Sequence, residues 1–327
     1  MDKQQADIDS IHWDWQSDPL LHRYAHHAMA TTYEIYIRHE KADYAEGAAH
    51  EAFKELDRLE EELSRFIPNS DISRINNLKA LESVRVGLPA FECIQESQRI
   101  YRETDGAFDI TIGPLYQCWL DKEKHLKNPS RTELNQARYR TGMTLVKLDE
   151  QEHTVRVLRD RLHLDLGGVG KGYAVDQIAT LLKEWEIDTA LIHGGRSSVL
   201  ALEAPEGVAG WPITLSTGGR RTGTLAKVSL CNQALSGSGL QKGQHILDPR
   251  KGEPVQGKAG AWSIAPSAAT TDALSTAFMI MQPEEVEAYC RRRTETRALL
   301  VLDRGDQLQK DENVLFFGPW QQADILI

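Results

Sequence analysis

Tyr33-Glu34-Ile35-Tyr36-Ile37 alternates apolar and polar positions with the period of a half-buried strand. Downstream, Ala49, Phe53, Leu56, Leu59 and Leu63 recur at intervals of three and four, which predicts an amphipathic helix over 45–65. Pro68, in Phe66-Ile67-Pro68-Asn69-Ser70, cannot continue a helix and closes that stretch. A second helix is expected over 90–103. Asp105-Gly106 then reads as a turn, and Phe108 to Ile112 as short and β-prone. Residues 114–150 are polar and mixed, expected as loops with a short helix. Val155 to Leu158 and Leu162 to Leu166 read as a hairpin pair. A glycine-rich turn, 167–172, follows, and Ala174, Ile178, Leu181, Leu182 and Trp185 mark a helix after it. Ala190-Leu191-Ile192-His193 reads as a strand entering Gly194-Gly195. Two further helices are expected near 271–282 and 283–293. No internal repeat and no low-complexity tract interrupts this pattern. Strands and helices mixed throughout indicate an α/β or α+β fold, mixed sheets packed with helices.

The chain has 327 residues, 41% hydrophobic and 26% charged, which suits a globular protein with a sizeable core. A net charge of −10 argues against nucleic-acid binding, which calls for a basic face. It leaves a phosphate-bearing ligand open, because such a site needs only local donors or a cation. Cys93, Cys118, Cys231 and Cys290 form no C-x-x-C pair, so neither a zinc knuckle nor a redox dithiol is indicated. Residues 1–22 form a polar extension with Trp13 and Trp15 as anchors for packing onto the body. They contain no apolar h-region, so no secretory signal is expected and the chain reads as cytoplasmic. No stretch approaches the length of a membrane span.

Four segments carry candidate chemistry, and each has a plainer reading. In Asp165-Leu-Gly-Gly-Val-Gly-Lys-Gly-Tyr-Ala-Val-Asp176, glycines and a helix N-terminus suit a phosphate, with Lys171 as a point charge. The spacing matches neither a P-loop nor a dinucleotide fingerprint, and the segment is equally a tight connection into a helix. In Thr271-Asp272-Ala-Leu-Ser-Thr276, Asp272 and Thr276 share a helix face and offer hard oxygens; alternatively Thr271 or Asp272 is the helix cap. In His245-Ile246-Leu-Asp248-Pro-Arg-Lys-Gly252, His245 is a possible base or phosphate donor, and Asp248 a turn residue. In Thr104-Asp-Gly-Ala-Phe-Asp109-Ile-Thr111, a carboxylate and a hydroxyl either meet a ligand ring or satisfy a turn locally.

Taken together and in this order, the segments resemble the ApbE family, the FAD:protein FMN transferases. The similarity runs from Met29-Ala30-Thr31 through Ser64-Arg65-Phe66, Pro68-Asn-Ser70 and Ile75-Asn76, then 105–114, 165–173, Gly194-Gly195 and 245–249, to Asp-Ala-Leu-x-Thr at 272–276. Ala30 stands where the family has glycine, Gly170 where alanine is common, and Arg196 where Asn, Asp or Glu often follows Gly-Gly. The resemblance implies an ApbE-like single large domain of two lobes over 23–327, after the 1–22 extension. It implies Mg2+ held by Asp272, Thr276 and a main-chain carbonyl at Gly168, bridging the diphosphate of FAD as substrate. Met29, Phe66, Ala107, Phe108, Asp109, Asp165, Lys171, His245 and Ile246 match the family's flavin-nucleotide contacts. The implied reaction passes FMN to a Thr or Ser hydroxyl of an acceptor redox protein and releases AMP, with His245 or Asp272 as base. FAD hydrolysis to FMN and AMP, and FAD binding without chemistry, are the competing readings. Family members commonly act outside the cytoplasm.

Overall fold

The computed structural model describes residues 8–10, 18–121, 125–216, 224–240, 246–303 and 313–321. Trp13, Trp15 and His245 lie outside the described residues.

The chain begins with strands β1 (Ile8–Ser10), β2 (Leu21–Ala28) and β3 (Thr31–Arg38). Helices α1 (Ala42–Leu63) and α2 (Asp71–Asn76), strand β4 (Ser83–Arg85) and helix α3 (Leu88–Glu103) follow. A 3₁₀ turn at Ile110–Ile112 leads into α4 (Gly113–Trp119) and α5 (Arg131–Tyr139). Next come β5 (Val146–Asp149), β6 (Thr154–Val157), α6 (Gly170–Glu184), β7 (Ala190–Gly194) and β8 (Ser198–Ala201). Strands β9 (Trp211–Ser216), β10 (Thr224–Leu230), β11 (Gln233–Gly239), β12 (Leu247–Asp248), β13 (Glu253–Pro254) and β14 (Lys258–Ala265) precede the last elements. These are α7 (Ala268–Ile280), α8 (Pro283–Arg292), β15 (Arg297–Leu302) and β16 (Val314–Phe317).

The frame is an eight-stranded sheet in the order β16-β15-β14-β11-β8-β7-β3-β2, antiparallel in every described pairing. Alternation along its strands sorts the core into two layers. Ile35, Ile192, Leu200, Ala261 and Leu300 face a helical layer of α1, α6 and α7. Leu191, Val199, Leu235, Trp262 and Leu299 face the small sheet β1-β9-β10. Part of the polar extension is thus strand: Ile8–Ser10 pairs with β9, and Leu21 opens β2. Helix α7 is buried on nearly every face, between the sheet and α6, although it carries Thr270, Thr271, Asp272, Ser275 and Thr276. No described helix is long and apolar enough to cross a membrane.

The expected strand at Tyr33 to Ile37 and the helices near 45–65, 90–103, 174–185, 271–282 and 283–293 are all present. Two expectations fail. Leu162 to Leu166 is not the partner of Val155; β6 pairs with β4 and β5 instead. The Asn76 side chain occupies the strand-like backbone, accepting from Leu164 N at 2.6 Å and donating to Leu164 O at 3.1 Å. Phe108 to Ile112 is not β either: Asp109 Oδ1 accepts from Thr111 N at 2.7 Å and Thr111 Oγ1 at 2.6 Å, turning the chain into a 3₁₀ step.

Candidate functional site

A cleft of about 1060 Å³ opens where the β2–β3 loop, the segments after α1 and α3, the glycine bend and α7 converge. Met29, Phe66, Ala107, Phe108, Asp109, Asp165, Gly168, Lys171, Ile246, Asp272 and Thr276 all line it. The structure therefore gathers every described residue of the sequence-based set into one cavity. His245 falls outside the described residues, although its neighbour Ile246 is on the wall.

Asp272 is not a helix cap. Ser267 caps α7, its hydroxyl accepting from Thr270 N at 3.2 Å, and Asp272 lies a full turn deeper. It is 3% exposed. Its Oδ2 accepts from Gly172 N at 3.2 Å and lies 3.5 Å from Lys171 Nζ. Its Oδ1 meets no hydrogen-bond donor among the described residues. Thr276, one turn on, presents its hydroxyl beside Ser238 Oγ at 3.3 Å and Asp272 O at 3.4 Å. On the facing bend, a Cβ added to Gly168 would stand 3.1 Å from Thr276 Oγ1 and 3.2 Å from the Phe108 ring. Only glycine fits between these two walls without displacing them.

That bend has most of its N–H groups engaged within the protein, which leaves few for a phosphate. The N–H groups of Gly167, Val169, Gly170, Gly172 and Tyr173 all have protein acceptors. Gly172 N would ordinarily close the first turn onto the Gly168 carbonyl; because it donates to Asp272 instead, that carbonyl accepts no hydrogen bond among the described residues. A carboxylate oxygen, a hydroxyl and a main-chain carbonyl with bonding capacity to spare thus belong to residues lining the same cleft. No group of three or more His, Cys, Asp or Glu able to hold a metal occurs among the described residues. An all-oxygen set with one carboxylate suits a hard divalent cation that completes its shell with water and ligand phosphates.

The close approach of α6 and α7 depends on Gly172, where a Cβ would come within 2.1 Å of Ala268 O. Two residues that sequence reasoning left without a role hold α7 along its axis. Asp176, on α6, accepts from Ala268 N at 2.7 Å, Ala269 N at 2.8 Å and Ser267 Oγ at 2.8 Å. Burial pushes its carboxyl pKa upward, opposed by these bonds. At the other end, the buried Lys258 ammonium donates to the carbonyls of Phe278 at 2.9 Å, Met279 at 3.3 Å and Met281. Burial lowers its pKa to about 8. A buried lysine in an apolar strand was the available signal.

The far wall has a different character. Asp109 is 6% exposed, and burial raises its pKa to about 6 against the two Thr111 bonds. Phe66 is 78% exposed at the lip, its ring 4.3 Å from the Arg65 guanidinium carbon. Arg65 in turn pairs with Asp165 at 3.2 Å. An exposed aromatic face with a polar floor behind it fits a flat heteroaromatic ring. Met29 and Ala30 form the β2–β3 turn with φ of 51° and 58°, the mirror-image turn that suits strand twist. Asp248 has the turn role: it accepts from Arg250 N at 2.9 Å.

The fold and the cleft suit an extended ligand with a ring at one end and an anionic group at the other. Residues 29–300 match the model of the ApbE family. The chain belongs to the ApbE family. It is similar to the FAD:protein FMN transferase of Escherichia coli strain K12, 28% identical over 255 residues, 73% of this chain and 72% of the relative. The FAD:protein FMN transferase of Chlamydia muridarum is 30% identical over 217 residues, 63% of this chain and 67% of the relative. The apo crystal structure of Pseudomonas stutzeri flavinyl transferase ApbE superposes with a TM-score of 0.78 at 25% identity, covering 90% of this chain and 93% of that one.

Proposed function

We propose that this chain is a flavin transferase that binds FAD and moves its FMN half onto a Thr or Ser hydroxyl of an acceptor redox protein, releasing AMP. The observation that carries the reading is the meeting of Gly168, Asp272 and Thr276 beside Lys171 in a cleft with an exposed aromatic lip. In this reading Asp272 Oδ1, Thr276 Oγ1 and the Gly168 carbonyl hold Mg2+. Such an ion, when bound, would supply neutralising charge to the diphosphate.

The chain's own groups do the rest. Lys171 places an ammonium beside the phosphates, and Phe66 stacks on the isoalloxazine. Asp109 is a hydrogen-bonding partner for the flavin ring edge. The acceptor oxygen forms a bond to the FMN phosphorus as the bond from that phosphorus to the AMP oxygen breaks. The hydroxyl proton passes to a base, which we assign to His245 over Asp272. Asp272 already has one oxygen engaged by Gly172 N–H and Lys171, and in this reading the other is taken by the cation, so Asp272 has no oxygen left for an incoming hydroxyl. The openness that leaves Phe66 exposed also admits an acceptor segment.

The test incubates the protein with FAD and Mg2+, with a redox-protein acceptor or with its variant lacking the target hydroxyl. AMP release together with a flavin-fluorescent acceptor band is expected only with the intact acceptor. AMP without a fluorescent band would make the chain a hydrolase, and no AMP would make it a binder. Asp272→Ala should abolish metal-dependent turnover; unchanged turnover would remove the ligand set.

A further inference from the structure

We infer that Lys171 is a built-in stand-in for the divalent cation, holding Asp272 while the site is empty and making cation and diphosphate arrive as a coupled pair. The inference rests on the reading of Asp272 as a cation ligand.

Asp272 is 3% exposed, and an isolated carboxylate is costly to bury without a compensating charge. Lys171 is its only cationic partner among the described residues, with Nζ 3.5 Å from Oδ2. The same ammonium lies 3.4 Å from the Gly167 carbonyl, so it is held by the bend as well as by the helix. Lys171 is the second residue of α6, and its neighbour Gly172 gives its N–H to the same Oδ2. Both contacts fall on one oxygen, which leaves Oδ1 without a donor among the described residues.

A divalent cation seated there would stand a few ångströms from a fixed positive charge. In a buried site that repulsion is poorly screened. The cation alone therefore binds weakly to the nucleotide-free protein. A diphosphate brings negative charge that ammonium and cation share, and the repulsion becomes attraction to a common anion. The two ligands then raise one another's affinity by the same factor. Side-chain exposure of 25% at Lys171, against 5% at Asp272, makes the ammonium the partner that an incoming phosphate reaches. The consequence is protection: a cleft that takes up its cation chiefly with the flavin nucleotide is not filled beforehand.

The test measures Mn2+ binding to the nucleotide-free full chain by the electron paramagnetic resonance signal of free Mn2+. The proteins compared are wild type, Lys171→Met, Lys171→Arg and the double variant Lys171→Met with Asp272→Asn. Lys171→Met should bind Mn2+ at least about 10-fold more tightly than wild type, because a neutral side chain of similar length replaces the ammonium. Lys171→Arg, which keeps the charge, should stay near wild type and guards against a folding artefact. The double variant should lose the gained affinity. Equal or weaker binding by a folded Lys171→Met would overturn the inference while leaving the ligand set standing. If the double variant binds as tightly as Lys171→Met, Asp272 is not the ligand, and the underlying reading fails with the inference.

Discussion

Replacing Gly172 by alanine adds one methyl group at the tightest point between the two helices that carry the proposed cation seat. The added Cβ would lie 2.1 Å from Ala268 O, 2.5 Å from Ala268 C and 2.8 Å from Ala269 Cα. All three are backbone atoms, so no side chain can rotate away. A carbon settles against a carbonyl oxygen at about 3.3 Å, which requires α6 and α7 to part by about 1 Å. Forced overpacking of this kind costs about 1–3 kcal/mol. Alanine returns about 1 kcal/mol of helix propensity relative to glycine. The net stability loss is thus on the order of 0–2 kcal/mol, a drop of a few degrees in Tm.

The functional cost should be far larger. Asp272 and Thr276 ride on α7, while Gly168 and Lys171 belong to the bend and the start of α6. Metal–ligand distances tolerate only about 0.2 Å, so a 1 Å separation opens the seat. Misplacement on that scale costs on the order of 100-fold in rate. The assay is AMP release from FAD with Mg2+, run beside a thermal melt. Gly170→Ala is the internal control, because its Cβ would meet only Leu166 Cβ at 3.5 Å. It should melt at or slightly above the wild-type temperature. If Gly172→Ala kept turnover within about threefold of wild type, helix proximity would not be what assembles this site.

Two further substitutions test the walls of the cleft. Ala30→Gly should raise stability by about 1 kcal/mol, because Ala30 holds a φ of 58° where a side chain is penalised by roughly that amount; an unchanged or lower denaturation midpoint would refute this. Asp109→Asn probes the buried carboxyl. Its folded-state pKa, about 6, exceeds the ordinary 3.8, so the native state binds the extra proton between those values and stability falls as pH rises through that window. The asparagine variant should lack that fall and be more stable at pH 7.5 by on the order of 1–3 kcal/mol, while binding FAD more weakly; parallel pH–stability profiles for the two proteins would sink the argument.

Elements with a long apolar period were legible before any coordinates: the Ala49-to-Leu63 stripe is helix α1, and Ala174 to Trp185 belongs to α6 and its cap. The hairpin expected at Leu162 to Leu166 failed for a reason that no local pattern shows. Its hydrogen-bonding partner is a side chain, Asn76, which approaches from 88 residues away in sequence. The candidate site residues stood out as a set only through the family pattern, since spacing alone favoured Asp272 as a helix cap. Ser267, three residues before the Thr270 N–H it accepts from, was the local sign that the cap lay elsewhere.

What remained hidden is how an almost wholly buried helix keeps a carboxylate in register with a bend on another helix. Hydrophobic packing resists separation of α7 from its neighbours but is nearly indifferent to sliding along the axis. Axial position needs directional contacts, and α7 has them at both ends. The Asp176 carboxyl takes two N–H groups at the N-terminus, and the Lys258 ammonium takes three carbonyls at the C-terminus. Each charge has the sign that the helix dipole favours at its end. The cost of burying both groups is offset by bonds that a sliding helix would break, so the clamp sets the height at which Asp272 meets Gly172. The polar residues of an apolar core are therefore the ones that carry positional information, and in this chain they converge on the helix that bears Asp272 and Thr276.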